Sequence, residues 1–236
     1  MGKRIIAQRR GSGSPLYKYP SFWGKGEAKY LPLQDSVTEG IVVDIIRDRM
    51  HSAPLAIIKF GNKKVLHIAA KGIAVGDKIY YNKEAKDGNI LMLKDIPEGS
   101  NIFNIEGMPG DGGKFVRAAG TYAKLVAKYS DYAVVLLPSG KEKRFNLKCR
   151  ATIGIVAGAG MKDKPFVKAG NKYYYAKVRH KNWPKVSGSA MNAVDHPFGN
   201  KRTQRKSKAR PVSRNAPPGR KVGYIAAKRT GRKKKG

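Results

Sequence analysis

Residues 55–69 read LAIIKFGNKKVLHIA, and the fold turns on them. Two runs rich in β-branched and apolar residues, 55–60 and 63–69, flank Gly61-Asn62, a pair suited to a tight reversal, so the stretch predicts a β-hairpin. The same texture continues on both sides. Residues 40–47 (GIVVDIIR) read as a strand, while 77–82 (DKIYYN) and 90–93 flank a turn at Asp87-Gly88-Asn89 and predict a second hairpin. Five short strands over roughly sixty residues fit a small Greek-key barrel of the oligonucleotide-binding (OB) type. Its predicted interior comprises Ile41, Val43, Ile45, Ile57, Val65, Ile68, Ile79 and Leu91.

A second set of strands starts near Asn101. Segments 114–117, 123–129, 132–137 and 141–146 alternate apolar and polar residues, with Ser130-Asp131 and Pro138-Ser139-Gly140 as register-setting turns, and 151–157 follows. They predict another small barrel, SH3-like, and no internal repeat links it to the first. Residues 158–170 read as a Gly/Lys loop, 168–179 as a short helix, and the chain from His180 onward as irregular extension. The first 33 residues have neither helical nor strand periodicity.

Charge separates a body from its ends. The 236 residues carry 49 Lys and Arg against 16 Asp and Glu, a formal net charge of +33, more than solubility needs and costly in self-repulsion. A polyanionic partner is implied. Residues 34–195 hold 27 basic and 15 acidic side chains, residues 201–236 hold 15 basic and none acidic, and no acid follows Asp195. The tail has too few apolar residues to offset its ordering entropy and is expected to fold only on a partner. In the N-terminal arm Arg9, Arg10, Lys18 and Lys25 are candidates for phosphate contacts, with Tyr17, Tyr19, Phe22, Trp23 and Tyr30 to stack on bases. RNA is favoured over DNA, because no helix-turn-helix, zinc-finger or basic-zipper pattern is visible. The division read from the chain is a basic N-terminal extension (1–33), an OB-like RNA-binding barrel (34–100), an SH3-like barrel (101–180) and an extended basic C-terminal RNA-binding segment (181–236). The fold class is all-β with irregular basic extensions at both ends.

Other classes are excluded or weakened. The longest run without Asp, Glu, Lys or Arg is the 11 residues 151–161, too short to span a bilayer, and MGKRIIAQRR lacks the apolar core of a secretory signal. A single Cys149 allows no internal disulfide and fits a reducing, cytoplasmic setting. His51, His67, His180, His196 and Cys149 are scattered without zinc spacing, so no metal or cofactor is expected. The glycine runs at 107–113 and 158–160 lack the GK[ST] ending of a nucleotide loop and read as turns.

The run SGSAMNAVDHPFGNKR (187–202) is an exposed loop joining body to tail. Asp195-His196 tempts a catalytic reading, but neighbouring side chains in an extended segment point apart, so the carboxylate would not orient the ring. An RNA-directed enzyme using His196 and a general polyanion binder, such as a chromatin or membrane-surface protein, are the alternatives to a structural RNA-binding role.

The loop GSAMNAVDHPFG, with SAPLA (52–56), RAAGT (117–121) and ATIG (151–154), resembles the universal second protein of the large ribosomal subunit, the ribosomal protein L-two family. The tail RPVSRNAPPGRKVGYIAAKRTGR is similar to its archaeal and eukaryotic form. Resemblance covers essentially the whole chain. It implies the two barrels above and both ends extended into large-subunit RNA. It also implies a structural role as a primary ribosomal-RNA binder supporting subunit association, tRNA binding and peptide-bond formation near the peptidyl-transferase centre. Implied partners are that RNA, neighbouring ribosomal proteins and the small subunit, with no membrane. The family's loop histidine, matched here by His196, has been given a part in peptidyl transfer, whereas the RNA is held to be the catalyst, so no enzyme activity is expected. Two departures stand out: Phe198 and Asn200 replace a His and a Gly of the bacterial form, and His51 stands where relatives commonly carry Arg. Candidate RNA-binding residues are Arg9, Arg10, Lys63, Lys64, Arg117 and Arg150, then Gly188, Met191, Asn192, Asp195, His196 and Gly199 of the loop. Arg202, Arg205, Arg210, Arg214, Arg220, Lys221 and Arg229 of the tail complete the set.

Overall fold

The computed structural model describes residues 2–18, 21–33, 36–161, 163–200 and 211–227. They fall into two compact units: Ser21–Pro165 is one, and Met1–Pro20 joins Phe166–Gly236 in the other.

The first unit is built from strands. In chain order these are β1 (Thr38–Ile46), β2 (Leu55–Phe60), β3 (Lys63–Ile68), β4 (Lys78–Tyr81), β5 (Ile90–Met92), β6 (Asn101–Phe103), β7 (Ala123–Lys128), β8 (Tyr132–Leu136), β9 (Glu142–Asn146) and β10 (Arg150–Ile153). The fold is all-β, an OB barrel followed by an SH3-like barrel. The 55–69 hairpin forms as the sequence predicts, with Leu55 opposite Ile68 and Phe60 opposite Lys63.

The second predicted hairpin does not form. β4 meets β5 in parallel at Tyr81 and Ile90, and β5 instead runs antiparallel to β10, pairing Met92 with Arg150 and Ile90 with Thr152. The Asp87-Gly88-Asn89 turn reverses nothing: Asn89 Oδ1 accepts from the Tyr80 N–H at 3.0 Å, and the Gly88 N–H donates to the Ile153 carbonyl at 2.9 Å. The order β3-β2-β1-β4-β5-β10-β6-β7-β8-β9 therefore runs from one barrel's strands into the other's without a break. Residues 114–117 also fail to form a strand, contributing only an isolated bridge between Ile105 and Phe115.

Among the described residues three clusters form the core. The first barrel encloses Val42, Ile58, Phe60, Ile79 and Tyr81; the second encloses Ile102, Ile105, Leu125, Val135 and Phe145. A third joins Leu55 and Ile68 of the first strand set to Phe103 and Val156 of the second. Ile68 and Ile79 are buried as predicted, but Leu91 packs in the second core. Ile41 and Val43 are 46% and 41% exposed, contrary to their predicted inward placement. In the run GIVVD either face could be apolar. Val42 and Gly40 take the inner face because Phe60 and Ile58 lie beneath Gly40, where an added Cβ would sit 2.3 Å from Phe60 Cε1. A register shift between Val42 and Asp44 then resets the alternation.

Part of the arm belongs to this unit. Ala28, Tyr30 and Leu31 are buried, so Tyr30 is a core residue rather than the base-stacking surface residue expected of it. The Leu31 N–H donates to Tyr81 Oη at 3.0 Å, and Tyr30 Oη donates to the Asn104 carbonyl at 2.8 Å.

Among its described residues the second unit has two α-helices, α1 (Ile6–Gly11) and α2 (Ala169–Val178), short 3-10 turns, and a two-residue parallel pair, β11 (Pro211–Val212) with β12 (Tyr224–Ile225). Helix α2 lies within the segment expected to be helical. Helix α1 falls in the arm expected to be irregular: the Ile5 N–H donates to Gln8 Oε1 at 2.9 Å at its start, and Arg9 and Arg10 complement the dipole in its last turn. No helix among the described residues is long and apolar enough to cross a membrane.

Candidate nucleic-acid interface

The loop is a knot closed by its own backbone. The Asp195 and His196 N–H groups both donate to the Asn192 carbonyl, at 3.0 and 3.2 Å; the Gly199 N–H reaches the His196 carbonyl at 2.9 Å and the Asn200 N–H reaches the Met191 carbonyl at 3.2 Å. Two glycines allow this closeness. A Cβ on Gly188 would lie 2.4 Å from the His196 ring, and one on Gly199 would lie 2.3 Å from the Asn192 carbonyl carbon and oxygen. No other residue fits without moving the ring or the turn.

His196 is oriented by the backbone. The Phe198 N–H donates to its Nδ1 at 3.0 Å, which puts the proton of the neutral ring on Nε2, and the Phe198 ring packs against it at 5.2 Å between centroids. Asp195 points elsewhere: its carboxylate stands 3.9 Å from Lys3 Nζ in a solvent-exposed pair. The two adjacent residues thus form no carboxylate–imidazole dyad. The Lys3 N–H also donates to the Val194 carbonyl at 2.8 Å, so the arm buttresses the loop. That role of Lys3 carries no sequence signal, because it joins residues nearly two hundred positions apart.

Among the predicted RNA-binding residues, Arg9, Arg10, Lys63, Lys64, Arg214 and Arg220 are exposed, Lys221 is half-buried, and Gly188, Met191, Asn192, Asp195, His196 and Gly199 come together in the knot. Arg202, Arg205, Arg210 and Arg229 lie outside the described residues, as does Tyr19. Arg117 is half-buried: its guanidinium donates to the Gly113 and Ala28 carbonyls at 3.0 Å each, and burial lowers its pKa. The 107–113 turn is closed by Asp111, whose carboxylate accepts the N–H groups of Gly107, Met108 and Gly113. Burial alone would raise the Asp111 pKa, but these hydrogen bonds and Lys114 hold it below the usual value.

Arg150, expected on the RNA-facing surface, is buried instead. It is 2% exposed and cannot reach a phosphate as the chain is folded. Its Nε and Nη2 donate to Glu106 Oε1 at 3.2 and 2.8 Å, its backbone N–H to Oε2 at 2.8 Å, and its Nη1 to the Leu31 carbonyl at 2.8 Å. The cation clamps segment 28–32 onto the junction of the strand sets. Beside it, His67 Nε2 lies 3.1 Å from Tyr81 Oη, and burial together with the Arg150 charge pushes the imidazole pKa down to about 3.

Residues 86–216 match the family described as Ribosomal Proteins L2, C-terminal domain. The chain is 52% identical to the large ribosomal subunit protein uL2 of Archaeoglobus fulgidus over 98% of its length and 99% of the relative's. The chain belongs to the uL2 ribosomal protein family. Other uL2 members, from Nanoarchaeum equitans and Haloarcula marismortui, are each 50% identical, over 99% and 98% of this chain and 100% and 98% of their own.

Proposed function

We propose that the chain is a structural constituent of the cytoplasmic large ribosomal subunit and a primary binder of its RNA. It supports subunit association, tRNA binding and peptide-bond formation near the peptidyl-transferase centre by positioning RNA. The observation that carries this reading is the loop knot, closed by hydrogen bonds across its own backbone and followed by a chain with 15 basic and no acidic residues beyond position 200. A preformed loop can enter RNA without being ordered first, and the cations after it replace diffuse counterions along phosphates. Arg9, Arg10, Lys63, Lys64, Arg214, Arg220 and Lys221 supply positioning contacts, as does the outer part of Arg117, while the tail cations Arg202, Arg205, Arg210 and Arg229 thread between RNA helices. Neighbouring ribosomal proteins and the small subunit are the remaining partners. His196 acts by shape: its Nδ1 accepts a backbone N–H, and the carboxylate of the adjacent Asp195 faces Lys3 instead.

Chemical footprinting of large-subunit RNA with and without the chain tests this. Protection confined to a few helices is expected, and protection spread evenly over the RNA would replace this reading with a general polyanion binder. In reconstituted subunits, His196→Ala is expected to change assembly or RNA protection together with peptide-bond formation; loss of chemistry with assembly intact would restore a catalytic histidine.

A further inference from the structure

Helix α2 has almost no buried face. Ala176 is its one buried side chain, whereas Tyr173, Tyr174 and Tyr175 are 43%, 66% and 38% exposed. A helix without a packed apolar face does not draw its stability from the core. Beside it lies a cavity of about 410 Å³, walled by Tyr17 of the arm with Tyr175 and Trp183, and edged by Arg10, Lys172, Lys181 and Lys185. No acidic side chain lines it, and none of these four cations is in an ion pair among the described residues. Two aromatic walls each carry a cation over one face, Lys172 Nζ 5.2 Å from the Trp183 centroid and the Arg179 guanidinium 3.7 Å from that of Tyr175. The arm is held in place as the His180 Nδ1–H donates to the Pro15 carbonyl at 2.9 Å, two residues before Tyr17.

We infer that this cavity receives a single unpaired nucleotide of RNA, its base stacked on the aromatic walls and its flanking phosphates held by Arg10, Lys181 and Lys185. The inference rests on the RNA-binding reading above and adds to it a site outside the loop. Flat aromatic walls with an acid-free cationic rim suit a π-faced, phosphate-linked ligand, and the volume falls in the range of small-molecule pockets rather than of a groove for a helix. A base inside a duplex is already stacked and cannot enter.

The test uses the full chain with Trp23→Phe, which leaves Trp183 as its only indole. The probes are a short single-stranded RNA carrying one 2-aminopurine, the same strand abasic at that position, and an RNA duplex, all at one salt concentration. The 2-aminopurine strand should quench Trp183 and the abasic strand should not. Tyr17→Leu and Trp183→Leu should each weaken single-strand binding on the order of tenfold, one stacked base, while duplex affinity and the salt slope stay unchanged. Equal losses on strand and duplex, no loss on either, or equal quenching of Trp183 by polyglutamate would overturn the site while leaving RNA binding intact. A wild-type chain that binds neither RNA would bring down both readings. As a check independent of variant folding, a 4-thiouridine strand irradiated with the unsubstituted chain should crosslink at Tyr17, Tyr175 or Trp183; adducts only elsewhere would refute the site.

Discussion

Glu106→Ala would leave the Arg150 guanidinium sealed in the core against carbonyls, with no counter-charge. Breaking such a pair from one side costs about 3–5 kcal/mol, because the stranded charge keeps its desolvation penalty. A fall of that size in denaturant stability is expected, and the double replacement Glu106→Leu with Arg150→Met should recover most of it. His67 offers a second test at this scale. Its folded pKa, about 3, lies below the ordinary 6.5, so between those values the unfolded chain takes up a proton that the folded chain refuses. Stability from this group is full above pH 6.5 and declines as pH falls through the window, at up to about 1.4 kcal/mol per pH unit. Comparing urea midpoints at neutral and acid pH, His67→Gln, which keeps an acceptor for Tyr81, should show a shallower acid loss than wild type. Neither residue's burial could be read from composition. Arg150 resembles every other cation until its partner, 44 positions away, is known.

Single glycines decide whether two of the elements form. Gly40→Ala would drive a methyl into Phe60 and Ile58 beneath β1, at an expected cost of about 1–3 kcal/mol in thermal or denaturant unfolding. Gly188→Ala should instead leave the melting of the strand unit unchanged while displacing the His196 ring, seen as a shifted imidazole resonance and weakened RNA protection. Most strands were legible in the sequence to within one or two residues, because runs such as LAIIKF and KKVLHI are rich in β-branched and apolar residues and are punctuated by turns. The errors have physical causes. GIVVD is apolar on both faces, so its inward phase depends on Phe60 and Ile58 across the sheet. Helix α1 is a single short segment that propensity barely marks. The knot at 187–200 was legible as a loop, but its closure on Gly188 and Gly199 was not, since glycine spacing does not say what packs against the missing Cβ.

At the scale of the whole molecule, charge was the most legible property and connectivity the least. Removing residues 201–236 deletes 15 cations and no acid, so the log–log salt dependence of RNA binding should flatten by about 0.7–0.9 for each phosphate that the tail had neutralised. A truncated chain with an unchanged slope would show that the tail does not touch phosphate. Periodicity reported strands but not their partners, so the two barrels looked separable. The pairing of β5 with β10 runs the sheet from one into the other. That pairing has a consequence for how the chain is made. Synthesis runs in one direction, and Ile90–Met92 is made about sixty residues before Arg150–Ile153. A nascent chain halted in between presents an open edge that can capture a neighbour's strand. Stalled translation products ending before Arg150 should therefore stay protease-sensitive and chaperone-bound, and resistance should appear abruptly once Ile153 has emerged.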